Sequence, residues 1–166
     1  MTKRLMLMFL VLCISSLAYG VENFTQKVTA AIQPVIQVTW PEETLDFGNL
    51  AIGVNETGTM EIKVISNIDY SLLLQTDKAF LTEFNLETGT YGEMMLSTPL
   101  FISIDGGVSW QEISANLKLL DSEATSDLGK IYSIKYKQEM AFPADKALAT
   151  GSIYKTDLVM VVTAKI

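Results

Sequence analysis

The chain has 166 residues, 49% of them hydrophobic, with 12 Lys and Arg against 19 Asp and Glu, a net charge of −7 and no histidine. That acidity argues against nucleic acid and anionic membrane surfaces as partners, since little is present to replace counterions along a phosphate backbone. The missing histidine and the single cysteine, Cys13, exclude Ser/His/Asp and Cys/His nucleophilic machinery and ordinary zinc sites, leaving carboxylate chemistry or oxygen-ligated metal as the enzymatic options.

Residues 1–20 read as a signal peptide. Lys3 and Arg4 precede an apolar run from Leu5 to Ile14, and small residues follow up to Gly20. About ten apolar residues suit an export signal, whereas a membrane-spanning helix needs roughly 20. Cys13 follows Leu12 rather than a small residue, so it reads as one more apolar signal residue and not as a lipidation site. The expected working chain starts at Val21, is not inserted in a membrane after cleavage, and resides in the periplasm, on the cell surface or outside the cell. It contains no cysteine, so it must rely on apolar burial and backbone pairing rather than disulfides.

Residues 21–33 form an N-terminal arm or first strand, in which Val28, Ala30 and Ile32 alternate on one face. Pro34 has no amide donor and marks a break, after which Ile36 and Val38 resume the alternation. Met60, Ile62 and Val64, then Tyr70, Leu72 and Leu74 beyond Asn67-Ile68-Asp69, read as two adjacent antiparallel strands. Further strands are expected at Leu100, Ile102 and Ile104, at Tyr132, Ile134 and Tyr136, and at Leu158, Met160, Val162 and Ala164. The last has apolar residues on its other face as well, Val159 and Val161, which predicts a central position or packing on both faces. Helical periodicity is weak, with at most one short turn across residues 121–128. Short strands separated by turn residues imply an all-β fold, an antiparallel β-sandwich occupying residues 34–166 as a single domain. No constant-period repeat points to a propeller or solenoid.

Residues 103–110, SIDGGVSW, place Ser103, Asp105, Gly107, Ser109 and Trp110 at the spacing of the Asp-box found in sialidase propellers. Turn chemistry alone accounts for each of them, so a structural hairpin is the first reading and a sugar-contacting loop the second. Asp121, Glu123 and Asp127 read as a solvated loop, because Ser126 and Tyr132 stand where a calcium-binding EF-hand would need Gly and Glu. Asn23-Phe24-Thr25 and Asn55-Glu56-Thr57 fit the N-glycosylation triplet, a pattern that often arises by chance. Trp40, Phe47, Tyr70 and Tyr154 read as core or strand-end aromatics before they read as a carbohydrate platform. No cofactor or metal site is expected.

Three blocks in order, TLDFGNL at residues 44–50, GTMEIKVISNIDYSLLL at 58–74 and ATGSIYKTDLVMVVTAKI at 149–166, resemble the spore coat protein U domain and the related major subunits of archaic chaperone-usher pili. That family's usual disulfide is absent, and Ser66 or Asn67 stands near the place where one cysteine would be expected. The resemblance implies an immunoglobulin-like sandwich short of one strand, completed by the arm of the next subunit through Val28, Ala30 and Ile32, with Phe24 as a further anchor. It implies self-association or binding to other envelope proteins, a periplasmic chaperone as partner, and a non-catalytic structural role in a cell-surface or fimbrial-type assembly. The competing expectation is a secreted carbohydrate- or protein-binding module using loops such as residues 105–110. An enzyme with paired carboxylates ranks third, since no recognised motif places two acids together.

Overall fold

The structure is a computed structural model, and residues 29–40 and 45–165 are described here. The chain divides into two compact units, Met1–Ile32 and Gln33–Ile166. Of the first, only residues 29–32 are described; they belong to no strand, and Ala30 and Ile32 are exposed. Val28, with the signal and the rest of the arm, lies outside the described residues.

The second unit is all-β and antiparallel. One layer contains β1 (Ile36–Thr39), β2 (Gly53–Glu56), β3 (Met60–Ser66), β7 (Phe101–Ser103), β8 (Gln111–Glu112) and β10 (Lys130–Met140), in the order β1-β3-β10-β7-β8. β2 pairs the far half of β10, from Lys137↔Glu56 to Met140↔Gly53, so it continues the line of β3 after a break at residues 57–59. Facing it are two three-stranded sheets. One is β12 (Val159–Ala164), β4 (Tyr70–Gln75) and β9 (Asn116–Ser122); the other is β11 (Ser152–Lys155), β5 (Thr82–Asn85) and β6 (Thr90–Met95). Thr76 and Thr156 knit their linkers together: the Thr76 hydroxyl donates to the Asp157 carbonyl at 2.8 Å and that of Thr156 to the Lys78 carbonyl at 2.7 Å.

The core follows from period-two patterning, which sends alternate residues inward. Ile62 and Val64 of β3, Tyr132, Ile134 and Tyr136 of β10 and Ile102 of β7 meet Tyr70, Leu72 and Leu74 of β4 and Leu119 of β9. Two buried phenols bridge the layers, Tyr70 to Tyr132, at 2.7 Å. Burial pushes the Tyr70 pKa up, and so it does more strongly for Tyr136.

Two expectations need correction. β3 and β4 are strands, but they are not paired: β3 lies between β1 and β10, and β4 between β12 and β9. Residues 67–69 carry the chain from one layer to the other, and the Ser66 side chain braces the corner, accepting from the Ile68 amide and donating to its carbonyl. Alternation identifies a strand's inner face but not its hydrogen-bonding partner, which is why the sequence suggested a hairpin. The second correction concerns β12, expected to be central or packed on both faces; the central position does not hold. Among the described residues it pairs only with β4 and is an edge strand, with Val159 56% exposed.

Candidate functional site

β12 and β1 are edge strands on the same side of the sandwich. They touch each other, and Ile36 pairs with Ser66 and Ala164 with Tyr70. Trp40, just past β1, and Val159 and Met160 of β12 line a groove of about 1180 Å³. One wall is the extended stretch 45–50; the other is β11, its linker and the start of β12, from Ser152 to Met160. The floor is apolar: Met60, Ile62, Leu81, Leu96, Leu100 and Tyr136, with Met140 at one end. Lys146, Ala147 and Leu148, from the crossing between β10 and β11, line the groove as well.

Sequence and local chemistry place each wall. Leu45 and Phe47 alternate with Asp46 and Gly48, and both pack against the core. Yet this stretch joins no strand. Among the described residues its one hydrogen-bonded amide is that of Gly48, which donates to the Asp46 carboxylate at 2.8 Å. Gly48 has φ of +66°, a turn conformation that favours glycine and bends the stretch before β2. Asn55 then holds the connection shut, accepting from the Ala51 amide and donating to the Ala51 carbonyl, both at 2.8 Å. The Asn55 triplet is thus committed to a structural turn.

On the opposite wall, β11 pairs only with β5 and β12 only with β4 among the described residues, so their outer edges are open. Asp157 pins the bend between them. It accepts from the Tyr91 hydroxyl at 2.5 Å and pairs with Lys155 at 3.0 Å, and these contacts hold its pKa below the ordinary carboxylate value. Asp145 pins the crossing at residues 141–151 and is only 5% exposed. Burial alone would raise its pKa, but the amides of Ala141 at 2.7 Å and Ser97 at 2.6 Å outweigh burial and hold it low. The Tyr154 hydroxyl donates to the Lys146 carbonyl at 2.8 Å and ties the crossing to β11. The result is a slot with an apolar floor and unpaired main chain on both sides. An extended peptide can exchange hydrogen bonds with such a slot and place alternate side chains on its floor.

The Asp-box residues converge at another place, the tip of β7. The Ser103 hydroxyl donates to Asp105 at 2.6 Å and accepts from the Gly107 amide at 2.8 Å. Asp105 also accepts from the amides of Val108 and Ser109 and from the Ser109 hydroxyl. These bonds keep its pKa far below the ordinary range. Gly106 and Gly107 have φ of +75° and +101°. Trp110 lies close to Gly107, and the Lys137 ammonium sits 4.6 Å from its ring centroid, so lysine covers a ring face that sugar stacking would need.

Asp121 is engaged by Ser71, Lys118 and Lys165, and its hydrogen bonds hold its pKa at about 2. Among the described residues no group of His, Cys, Asp or Glu could hold a metal ion. Of the aromatics singled out from the sequence, Tyr70 is core, while Trp40, Phe47 and Tyr154 line the groove. The resemblance implied a sandwich open for one strand, but no residue pattern placed the groove. Its one signal was β12, apolar on both faces as a strand in mid-sheet would be. No protein-family model matches the chain, and a search of curated proteins finds no match.

Proposed function

We propose that this protein is an exported, non-catalytic structural subunit of a cell-surface or fimbrial-type assembly, and that its groove accepts an extended strand. The observation that carries this reading is the groove, with an apolar floor and free main-chain edges on both walls. An open apolar edge is an aggregation hazard that proteins ordinarily cover, so one left open in the isolated chain calls for a partner strand. The apolar outer edge of β12 has the composition of a strand that ends up inside a sheet.

The resemblance to the spore coat protein U domain and archaic chaperone-usher pilins supplies the matching donor, an arm with Val28, Ala30 and Ile32 on one face. In this reading the sandwich is an incomplete immunoglobulin-like domain. Its head-to-tail contacts are heterologous and give an open fibre unless the rotation closes them. A periplasmic chaperone would cover the groove before assembly.

The test is deletion of residues 21–32. The shortened chain should fold, fail to assemble, and bind a synthetic peptide of residues 21–33. Unchanged assembly after the deletion would contradict the proposal.

A further inference from the structure

We propose that the groove carries an oxidation switch: hydrogen peroxide converts the thioethers of Met60, Met140 and Met160 to sulfoxides while the groove is empty, and the oxidised groove no longer takes an apolar strand. The inference rests on the strand-accepting reading of the groove and adds how that site is turned off.

Beyond residue 20 the chain has methionine at positions 60, 94, 95, 140 and 160, and its only cysteine, Cys13, precedes them all. Thioethers are therefore the side chains that a two-electron oxidant attacks first in residues 21–166. Met94 and Met95 lie on β6, 39% and 60% exposed, outside the groove. The other three line it. Met60 begins β3 on the floor, Met140 ends β10, and Met160 stands on the β12 wall. Each is half-buried in the open slot, and Met60 and Met160 also pack against the core. Met60 pairs with Ile134, and Met140 follows six residues farther along β10, about 20 Å at a rise of ~3.3 Å per residue. Sulfurs so spread do not share one soft metal ion, and each reacts as a separate thioether.

The reaction is self-contained. A sulfur lone pair attacks one peroxide oxygen, an S–O bond forms as the O–O bond breaks, and the second oxygen leaves with both hydrogens as water. Sulfur gives up two electrons and the peroxide takes them. The sulfoxide is polar, whereas the floor around it, Ile62, Leu81, Leu96 and Leu100, is aliphatic. A strand seated there would bury the new oxygen without a donor, which disfavours binding. Methionine adapts its shape to whatever side chains an occupant brings, so the residues that suit the groove to a strand also make it sensitive to oxidant. Methionine sulfoxide reductases reverse the change.

Graded hydrogen peroxide on the full exported chain tests the switch, with a synthetic peptide of residues 21–33 as the strand probe. Mass spectrometry reads oxidation at each methionine, and calorimetry reads affinity. Affinity should fall roughly tenfold or more, because each buried oxygen lacks a partner. The fall should track the sulfoxides of Met60, Met140 and Met160 and not those of Met94 and Met95. Bound peptide should slow oxidation at those three alone, and the reductases should restore binding. The variant Met60→Leu/Met140→Leu/Met160→Leu nearly conserves side-chain volume and should bind the peptide equally before and after peroxide, whereas Met94→Leu/Met95→Leu should stay as sensitive as the parent. Should the triple change unfold the chain, the peptide footprint and the reductase rescue still decide. Equal loss of affinity in the triple variant, or affinity that survives oxidation of all three residues, would overturn the switch and leave the strand reading standing. So would a loss of binding seen only together with loss of the near-ultraviolet circular dichroism of the fold. No binding of peptide by the unoxidised chain would sink both.

Discussion

The two ends of the β1–β12 side of this sandwich are finished in opposite ways. At the end that carries residues 66–70, the main chain is tied off. Asn67 holds Gln33 and Val35, the Lys165 amide donates to the Asp69 carbonyl, and Thr125 and Ala124 bond to Ser66 and Asp69. At the other end the stretch 45–50 joins no strand, and the outer edges of β11 and β12 stay open above Met60, Ile62 and Tyr136. Main-chain pairing separates the two ends, and stability and binding are therefore assigned to different ends of one core.

The largest expected effect comes from the closed side. Leu72 is fully buried between the layers, and Leu72→Ala should cost about 2–5 kcal/mol in denaturant unfolding, the range of a large-to-small change in a packed core. A loss well below that would mean that the core is as loosely finished as the groove.

Acid comes next. Asp145 and Asp157 at the groove, and Asp121 and Asp105 elsewhere, all have folded pKa values below their ordinary one of 3.8. A carboxylate with a lowered folded pKa binds fewer protons folded than unfolded. Its contribution is complete above the unfolded value and is lost as pH falls toward the folded one. Stability should therefore stay nearly flat from pH 5 to 8, where the absence of histidine leaves no side chain near its ordinary pKa, and decline from about pH 4 down to about 2, where Asp121 titrates. Melting temperatures across that range check this. An earlier decline in Tyr91 and Tyr154 than in the Tyr70–Tyr132 pair, followed by NMR, would place the first acid damage at the groove.

The smallest effect on stability and the sharpest on binding should come from Val159→Ser. Val159 is 56% exposed on the open wall, so the change should alter stability by no more than about 0.5 kcal/mol. Affinity for a peptide of residues 21–33 should fall several-fold, as measured by calorimetry, because the residue then borders an inserted strand.

The layers were legible in the sequence where alternation was strong. β1, β3, β4, β10 and β12 all fall where period-two patterns predicted strands, with Ile62, Val64, Leu72, Leu74 and Ile134 inside. β5, β6 and β11 escaped, because TEFN, TYGEMM and SIYK mix charges, glycine and aromatics without a clean period. Partners were harder to read than strands. The β3–β4 corner looked like a hairpin because nothing in Asn67-Ile68-Asp69 announces a change of layer; the structure shows Ser66 bracing it. The groove could not be seen directly, since it consists of hydrogen bonds that are not made. The resemblance implied a missing strand without placing the groove, and its trace in the pattern, the apolar second face of β12, fits a central strand or one packed on both faces equally well. Asn67 was noted as a turn residue and as a place for an expected cysteine, and it turns out to tie the start of β1 to the end of β3 by hydrogen bonds instead.

Amide hydrogen exchange on the chain lacking residues 21–32, with and without a peptide of residues 21–33, tests the central claim most directly. Without peptide, amides of residues 45–50 and along the outer edge of β11 and β12 should exchange fast while those of β3, β4 and β10 are protected. Added peptide should slow both groove walls together. Walls already protected without peptide, or unchanged when it is added, would contradict the account.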